Sequence, residues 1–115
     1  MAWDVDTTEE YDAWFLELGE VSQASIRMKV ELLTKYGPHL PRPYVDTLKG
    51  SKLKNLKELR TQTTDHVFRV AFLFDEERKA VLLIGGDKKG KNEKRFYKNL
   101  IKQAEKIYQK YLNFH

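Results

Sequence analysis

The sequence predicts an α+β fold in which a small, mostly antiparallel sheet is covered on one face by helices. Apolar residues recur at i, i+3, i+4 and i+7 near both ends of the chain, but alternate with period two in the middle. Gly, Pro and short acidic runs separate these segments. The predicted element order is therefore β-α-α-β-β-β-α, and a chain of 115 residues is expected to form one domain, residues 1–115.

The amino-terminal third predicts an edge strand and a helical hairpin. Residues 3–6 (WDVD) alternate apolar and acidic side chains, as an edge strand with one wet face does. We expect Thr7 to open the first helix, because a glutamate three residues later completes a capping box, and Gly19 to end it. Ser22 is expected to cap the second helix, and Gly37 followed by proline to end it. The buried stripe of the first helix consists of Tyr11, Trp14, Phe15 and Leu18.

The middle of the chain predicts three strands joined by tight turns. They follow an irregular, proline-containing segment and are expected at residues 57–61, 68–74 and 80–84. Alternation puts Phe68 and Phe72 on one face, which the helices are expected to cover, and Arg69 on the other. If Leu59 points to the core, Arg60 falls on the Arg69 side. That second face is therefore expected to be concave and basic.

The carboxyl-terminal segment predicts one long amphipathic helix. Asn92 is expected to cap it, and its apolar stripe continues to about Leu112. Lysines recur every four residues on its outer side, which is typical of a solvated helix face. They are Lys98, Lys102, Lys106 and Lys110.

Charge is distributed unevenly along the chain. Residues 1–20 hold seven carboxylates and no Lys or Arg, so the rest holds all 21 cations and ten carboxylates, a net charge of +11. Such a field favours a polyanion as partner. Arg60 and Arg69 on the strands and a lysine-rich loop after the last strand have the composition of a phosphate-binding surface. The loop lysines are Lys88, Lys89 and Lys91.

Composition argues against several other classes of protein. No segment approaches the ~20 apolar residues of a membrane span and no signal peptide is recognisable, so a cytoplasmic protein without membrane partners is expected. The absence of cysteine excludes disulfides and a thiol nucleophile. No clustered ligand set suggests a metal, and no cofactor is expected. The histidines are interpreted as solvated side chains rather than general bases: His39, His66 and His115.

The chain resembles the RelE/ParE superfamily of type II toxins, and within it the phage-derived, HigB-like branch. The segments that carry the resemblance are residues 37–51 (GPHLPRPYVDTLKGS), 55–60 (NLKELR), 68–70 (FRV) with 74–75 (FD), 82–88 (LLIGGDK) and 96–97 (FY). The resemblance implies a RelE-like fold and a toxin that cleaves mRNA, usually on the translating ribosome. It also implies a cognate antitoxin, often of the helix-turn-helix type, that neutralises the toxin.

The resemblance implies active-site roles for Arg60, Arg69, Lys88 and Tyr97, with Lys57 at a further basic position. RNA cleavage by its own 2′-hydroxyl requires a base, charge stabilisation at phosphorus and an acid for the leaving oxygen, but no metal. We assign the two arginines to the phosphate, Lys57 as base, Lys88 as acid, and Tyr97 to orientation or proton relay. Further lysines are expected to contact RNA: Lys49, Lys52, Lys54, Lys89 and Lys91.

Two alternatives stay open at this point. A ParE-like toxin shares the fold but inhibits DNA gyrase, and a degenerate relative would only bind RNA or its antitoxin. Arg60 and Arg69 could also be structural, paired with Glu58 or Asp87, and Glu58 is interpreted as a partner that orients Arg60 rather than as a base. Cations that converge on one face favour the nuclease, whereas scattered cations favour the gyrase inhibitor.

Overall fold

The computed structural model describes residues 2–114, which form a five-stranded sheet and three α-helices. The elements are β1 (Asp4–Thr7), α1 (Glu9–Leu16), α2 (Glu20–Tyr36), β2 (Val45–Thr47), β3 (Lys57–Gln62), β4 (Val67–Phe74), β5 (Lys79–Asp87) and α3 (Glu93–Phe114). The strand order is β1-β5-β4-β3-β2, and β1 pairs with β5 in parallel while the other pairs are antiparallel. The predicted α+β class and mostly antiparallel sheet are confirmed. The interpretation of His115 lies outside the described residues.

The edge strand β2 is an element that the predicted order lacks. It pairs with the first half of β3, and Val45 lies opposite Leu59. A strand of three residues directly after two prolines carries no readable period-two pattern, because the pattern needs several alternations. Within residues 2–114, no helix combines the length and the apolar character that a membrane span requires.

Helices lie on both faces of the sheet, which corrects the prediction that one face stays open. On one face Phe72 packs with Tyr11 of α1 and Leu33 of α2. On the other face Leu73 packs with Leu100 of α3. Strands β4 and β5 are apolar on both faces, so both faces need cover. The predicted concave, basic face is therefore largely occupied by α3.

The cap of α1 differs from the prediction by one residue. Thr8 is the N-cap instead of Thr7, and its Oγ1 accepts a hydrogen bond from the backbone N–H of Tyr11 at 3.0 Å. The same hydroxyl donates to the carbonyl of Leu83 in β5 at 2.6 Å. Because Thr7 still pairs with β5, the helix can begin only after it. One hydroxyl thus fixes α1 to the centre of the sheet.

The other helix ends are partly as predicted. Gly19 is the N-cap of α2 rather than the end of α1, and Ser22 is buried inside α2 rather than capping it. Gly37 ends α2 with a positive φ of 55°, as expected of a C-terminal glycine. Asn92 caps α3, because its Oδ1 accepts from the backbone N–H of Arg95 at 3.0 Å.

Candidate active-site cleft

The register of β3 and β4 places Arg60 directly opposite Arg69. Both side chains therefore project to the face that α3 covers, as alternation about Leu59 predicts. On β5, Gly86 is the residue opposite Arg69. A Cβ atom at Gly86 would lie 3.0 Å from the ring of Phe96 in α3. The glycine thus lets α3 approach the sheet closely beside Arg69.

Arg69 is buried beneath α3 in a hydrogen-bonded set with Tyr97 and Glu58. Only 6% of the Arg69 side chain and 7% of the Glu58 side chain are exposed, and 3.4 Å separates Arg69 Nε from Glu58 Oε1. The hydroxyl of Tyr97 accepts from Arg69 Nε at 3.1 Å and donates to Glu58 Oε1 at 2.8 Å. Glu58 was expected to orient a guanidinium, and the one that it contacts here is that of Arg69 rather than Arg60.

The electrostatics of this set favour a proton on Tyr97 and a basic Glu58. Burial raises the pKa of Glu58, against the hydrogen bond from Tyr97 and the charges of Arg69 and Arg60, which lower it. Burial and the hydrogen bond to Glu58 raise the pKa of the Tyr97 hydroxyl. Glu58 therefore holds a proton more readily than an ordinary carboxylate does, and Tyr97 can carry one to it.

An open cleft of about 540 Å³ lies between α3, β3 and the segment around β2. Its cations come from separate segments of the chain: Arg42, Lys49, Arg60, Lys88 and Lys94. Its other ionisable side chains are Asp46, Glu58, Glu93 and Tyr97. Such a cleft is polar, wide and positively charged, which suits an extended polyanion better than a small apolar ligand.

Lys88 is held in the cleft by several contacts. Its backbone N–H donates to the carbonyl of Val67 at 2.8 Å, which continues the β4–β5 pairing beyond β5. Its Nζ lies 5.3 Å from the ring centroid of Tyr97 and donates to Glu93 Oε1 at 2.6 Å. The ammonium group of Lys88 is therefore positioned over the tyrosine that contacts Glu58 and Arg69.

Lys57 does not join the other predicted catalytic residues. It lies opposite Phe72 in the register, on the face of Leu59 and away from Arg60. Side chains alternate along a strand, so Lys57 and Glu58 project to opposite faces. The structure therefore does not support the assignment of Lys57 as base, and it is Glu58 that lines the cleft.

Of the lysines predicted to bind RNA, Lys49 lines the cleft and the others lie elsewhere. The backbone N–H of Lys52 donates to Glu105 of α3, and Lys54 lines a groove beside the β4–β5 turn. Lys89 Nζ donates to the carbonyl of Thr64, and Lys91 lines a groove on the other side of α3. The cations are thus divided between the cleft and its surroundings.

Sequence reasoning missed two cations of the cleft, Arg42 and Lys94. Lys94 lies three residues before Tyr97 on α3, so helical spacing alone could have placed it on the same side. Arg42 comes from the irregular segment before β2, and no periodicity indicates where such a residue points. Its side chain pairs with Asp46 at 2.8 Å at the rim of the cleft.

His66, in the turn between β3 and β4, is paired with the last residue of β5 rather than simply solvated. Its Nδ1 lies 2.6 Å from Asp87 Oδ2, and its ring stacks on Phe68 with 5.1 Å between the centroids. Asp87 also accepts from the backbone N–H groups of Val67 at 2.9 Å and Lys89 at 3.0 Å. This arrangement ties the turn to the start of the lysine-rich loop.

Relatives of known sequence group the chain with toxins. Residues 13–109 match the family described as phage derived protein Gp49-like. The candidate toxin HigB3 of Mycobacterium tuberculosis is 43% identical over 96 residues, which cover 84% of this chain and 82% of HigB3. The candidate toxin HigB2 of the same organism is 35% identical over 114 residues, 97% of this chain but only 55% of HigB2.

Solved structures confirm the fold. The RelBE2 toxin–antitoxin complex of M. tuberculosis matches with a TM-score of 0.59 at 17% identity, over 76% of this chain and 99% of that one. A doubly substituted Escherichia coli toxin RelE in the free state matches with a TM-score of 0.60 at 14% identity, over 88% and 95%. The chain thus belongs to the phage-derived Gp49-like family, the HigB-like branch of the RelE/ParE superfamily of type II toxins.

Proposed function

We propose that this protein is an endoribonuclease toxin that cleaves mRNA by metal-independent attack of the RNA's own 2′-hydroxyl. The observation that carries the proposal is the convergence on one open cleft of Arg60, Lys88, Tyr97 and Glu58. They come from β3, the loop after β5, and α3. Groups for binding phosphate and for moving a proton therefore lie within the same cleft of about 540 Å³.

Arg60 is the phosphate-binding guanidinium in this proposal. It lines the cleft, whereas Arg69 lies behind Tyr97 and is almost entirely buried. A guanidinium can donate two parallel hydrogen bonds to phosphate oxygens, which suits the extra charge of the pentavalent phosphorane. Arg69 does not contact the phosphate in this proposal. It donates a hydrogen bond to the Tyr97 hydroxyl and so fixes the position of that hydroxyl. Arg69 is therefore a positioning residue.

Proton transfer follows the hydrogen bonds of the buried set. The 2′-hydroxyl gives its proton to the Tyr97 oxygen while Tyr97 passes its own proton to Glu58, 2.8 Å away. The 2′-oxygen forms a bond to phosphorus, and the bond from phosphorus to the 5′-oxygen breaks. The departing 5′-oxygen takes a proton from Lys88 Nζ. The products carry a 2′,3′-cyclic phosphate and a 5′-hydroxyl.

A cognate antitoxin is the proposed protein partner. Two matching RelE-type structures, RelBE2 of M. tuberculosis and RelBE of E. coli, are toxin–antitoxin complexes. The family resemblance leads us to propose an antitoxin of the helix-turn-helix type and cleavage on the ribosome, and the composition of the chain leads us to propose a cytoplasmic location. Co-expression with the protein encoded by the adjacent reading frame tests the pairing, because a true antitoxin restores growth and copurifies with the toxin.

Mapping of RNA ends after induced expression tests the reaction. We expect new 5′-hydroxyl ends in mRNA, and 2′,3′-cyclic phosphates on the matching upstream fragments. Ends with a 5′-phosphate would contradict the proposed chemistry. RNA binding should also weaken steeply with added salt, because phosphate contacts release counterions.

The ParE-like alternative is favoured by one observation. Two of the five residues predicted to be catalytic do not reach the cleft, because Lys57 projects to the other face and Arg69 is buried. A gyrase inhibitor would block DNA supercoiling in a purified assay and leave cellular RNA intact. A non-catalytic relative would bind RNA or antitoxin and produce neither effect.

A further inference from the structure

We infer that the carboxylate of Glu93 occupies the position in the cleft at which a phosphate group binds to Lys88, and that Glu93 competes with that phosphate. The inference rests on the proposed function, since it takes the RNA backbone as the ligand. It adds a phosphate-binding subsite at Lys88. Glu93 then limits the affinity of the cleft for RNA, because its carboxylate must leave Lys88 before a phosphate can bind there.

The geometry of the Lys88–Glu93 pair is that of an ammonium group with a bound anion. The two side chains approach to 2.6 Å between Nζ and Oε1, a short distance typical of a charge-assisted hydrogen bond. Only 18% of the Lys88 side chain is exposed, compared with 69% of the Glu93 side chain. The cation is therefore the fixed partner, and the carboxylate is the one that can rotate away.

Two further cations, one of them buried behind the cleft, act on the same carboxylate. The hydrogen bond from Lys88 and its charge lower the pKa of Glu93, and the charges of Arg69 and Arg60 lower it further. A carboxylate affected by cations from β3, β4 and the loop after β5 lies where their fields overlap. A phosphate oxygen at that point would experience the same attraction.

Other contacts would hold Lys88 in place without Glu93. Its backbone is bonded to Val67, and its ammonium group lies over the ring of Tyr97. An acidic residue in the first turn of a helix is favourable in itself, which explains a glutamate at the start of α3. The favourable position at the helix start does not depend on the contact between Glu93 and Lys88.

The test compares Glu93→Gln with Glu10→Gln in titrations with pyrophosphate and with an all-deoxy oligonucleotide that cannot be cleaved. Glu10 is a matched control, because it pairs with Lys110 at 3.2 Å and its substitution changes the net charge equally. We expect Glu93→Gln to bind both probes up to roughly fivefold more tightly than the wild type, the upper end of the range for one exposed ion pair. Glu10→Gln should bind them as the wild type does.

Two results would overturn the inference. One is an affinity of Glu93→Gln for pyrophosphate that equals or falls below that of Glu10→Gln, and the other is no pyrophosphate binding by any variant. A cleavage assay on RNA separates this inference from the proposed reaction. If Glu93→Gln binds pyrophosphate more tightly but no variant cleaves RNA, the phosphate subsite is supported and the proposed nuclease activity is rejected. If RNA is cleaved but the affinity of Glu93→Gln for pyrophosphate is unchanged, the nuclease activity is supported and the competition by Glu93 is rejected.

Discussion

Arg69 Nε lies 3.4 Å from Glu58 Oε1, and both side chains are buried beneath α3. Removing one member of such a pair leaves an uncompensated charge in the interior, which typically costs about 3–5 kcal/mol. This changes how variants of Arg69 should be interpreted. Loss of toxicity in Arg69→Ala would report a destabilised fold as readily as lost chemistry. Informative substitutions must keep the shape of the buried set or lie in the open cleft.

Glu58→Gln is the substitution that keeps the shape and removes the charge. We expect the free energy of unfolding to fall, but by less than the roughly 3–5 kcal/mol typical of a broken buried ion pair. Arg69 loses its counter-ion, whereas the raised pKa of Glu58 means that its buried charge already costs some folding free energy. Urea denaturation at pH 7 measures the change. Glu77→Gln is the control, because Glu77 forms an exposed ion pair with Lys79 and its loss should change stability by less than about 1 kcal/mol. Equal stabilities for the two variants would show that the buried pair does not contribute.

Tyr97→Phe removes only the hydroxyl that joins Glu58 and Arg69. We expect single-turnover cleavage of a defined RNA to slow by about 10²-fold, the usual size of a lost acid–base contribution. Combining Tyr97→Phe with Glu58→Gln should cause little further loss, because both substitutions interrupt the same proton path. Tyr108→Phe on the same helix is the control. Additive losses in the double variant would contradict a shared path.

Arg60→Ala tests the phosphate contact without breaking the buried pair. We expect cleavage to fall by about 10²–10³-fold, as for the loss of one preorganised charge at a transition state. The free energy of unfolding should change by less than about 1 kcal/mol, because Arg60 is only half-buried at the cleft. Arg95→Ala is matched, since Arg95 is exposed and lines a groove on the other side of α3. Equal cleavage by both variants would remove Arg60 from the mechanism.

Strands and helices could be predicted where the local pattern is long enough. The alternation through β4 and the apolar stripe of α3 each extend over many residues, and the structure has a strand and a helix where these patterns predict them. The side of the sheet that α3 covers could not be predicted in this way. Ala71 and Leu73 form an apolar row on the Arg69 face, but a helix stripe alone does not say which row it meets. Only the assembled sheet decides that.

The candidate site was predictable to the extent that it depends on alternation. Arg60 directly follows Leu59 and Arg69 directly precedes Val70, so alternation puts both arginines on the face opposite these two core residues, and the register confirms it. The same alternation could have excluded Lys57, which lies two residues before Leu59. The burial of Arg69 depends on contacts with α3 that are distant in sequence, so no local pattern reveals it.

Asp87→Asn should show a distinctive dependence of stability on pH. Partial burial tends to raise the pKa of Asp87, but hydrogen bonds from His66, Val67 and Lys89 outweigh it and hold the pKa below the ordinary value of 3.8. A carboxylate with a lowered folded-state pKa stabilises the protein fully above its unfolded pKa, and this contribution is lost as pH falls through the folded value. The free energy of unfolding of the wild type should therefore exceed that of the variant by about 1 kcal/mol at pH 7.

Denaturation of both proteins between pH 7 and pH 2.5 measures this difference. It should stay constant while Asp87 is ionised in both states and shrink in acid, because the protonated carboxyl of the wild type resembles the amide of the variant. A difference that grows in acid would contradict the assignment. Asp65→Asn, which changes an exposed carboxylate in the turn between β3 and β4, is the control and should follow the wild type throughout.

Gly85→Ala should destabilise the fold through contact with one aromatic ring. A Cβ atom at Gly85 would overlap the indole ring of Trp14, which packs edge-on against Phe68 with 5.8 Å between the ring centroids. The added methyl group and the half-buried ring cannot occupy the same space, so the ring must leave its present packing against the sheet. We expect a loss of about 2 kcal/mol in the free energy of unfolding.

Gly19→Ala is the matched control for that substitution. No atom lies within 4 Å of the added Cβ, and Gly19 has an ordinary φ of −69°. The entropy that Ala removes from the unfolded chain and the weaker preference for Ala at an N-cap oppose each other, so the effect should stay within about 0.5 kcal/mol. Thermal or urea denaturation compares the two variants. Gly85 directly precedes Gly86, which lies opposite Arg69. If α1 helps to hold β5 in register, RNA cleavage by the folded fraction of Gly85→Ala should also fall. Unchanged stability of Gly85→Ala would show that Trp14 adjusts freely and does not fix α1 against the sheet.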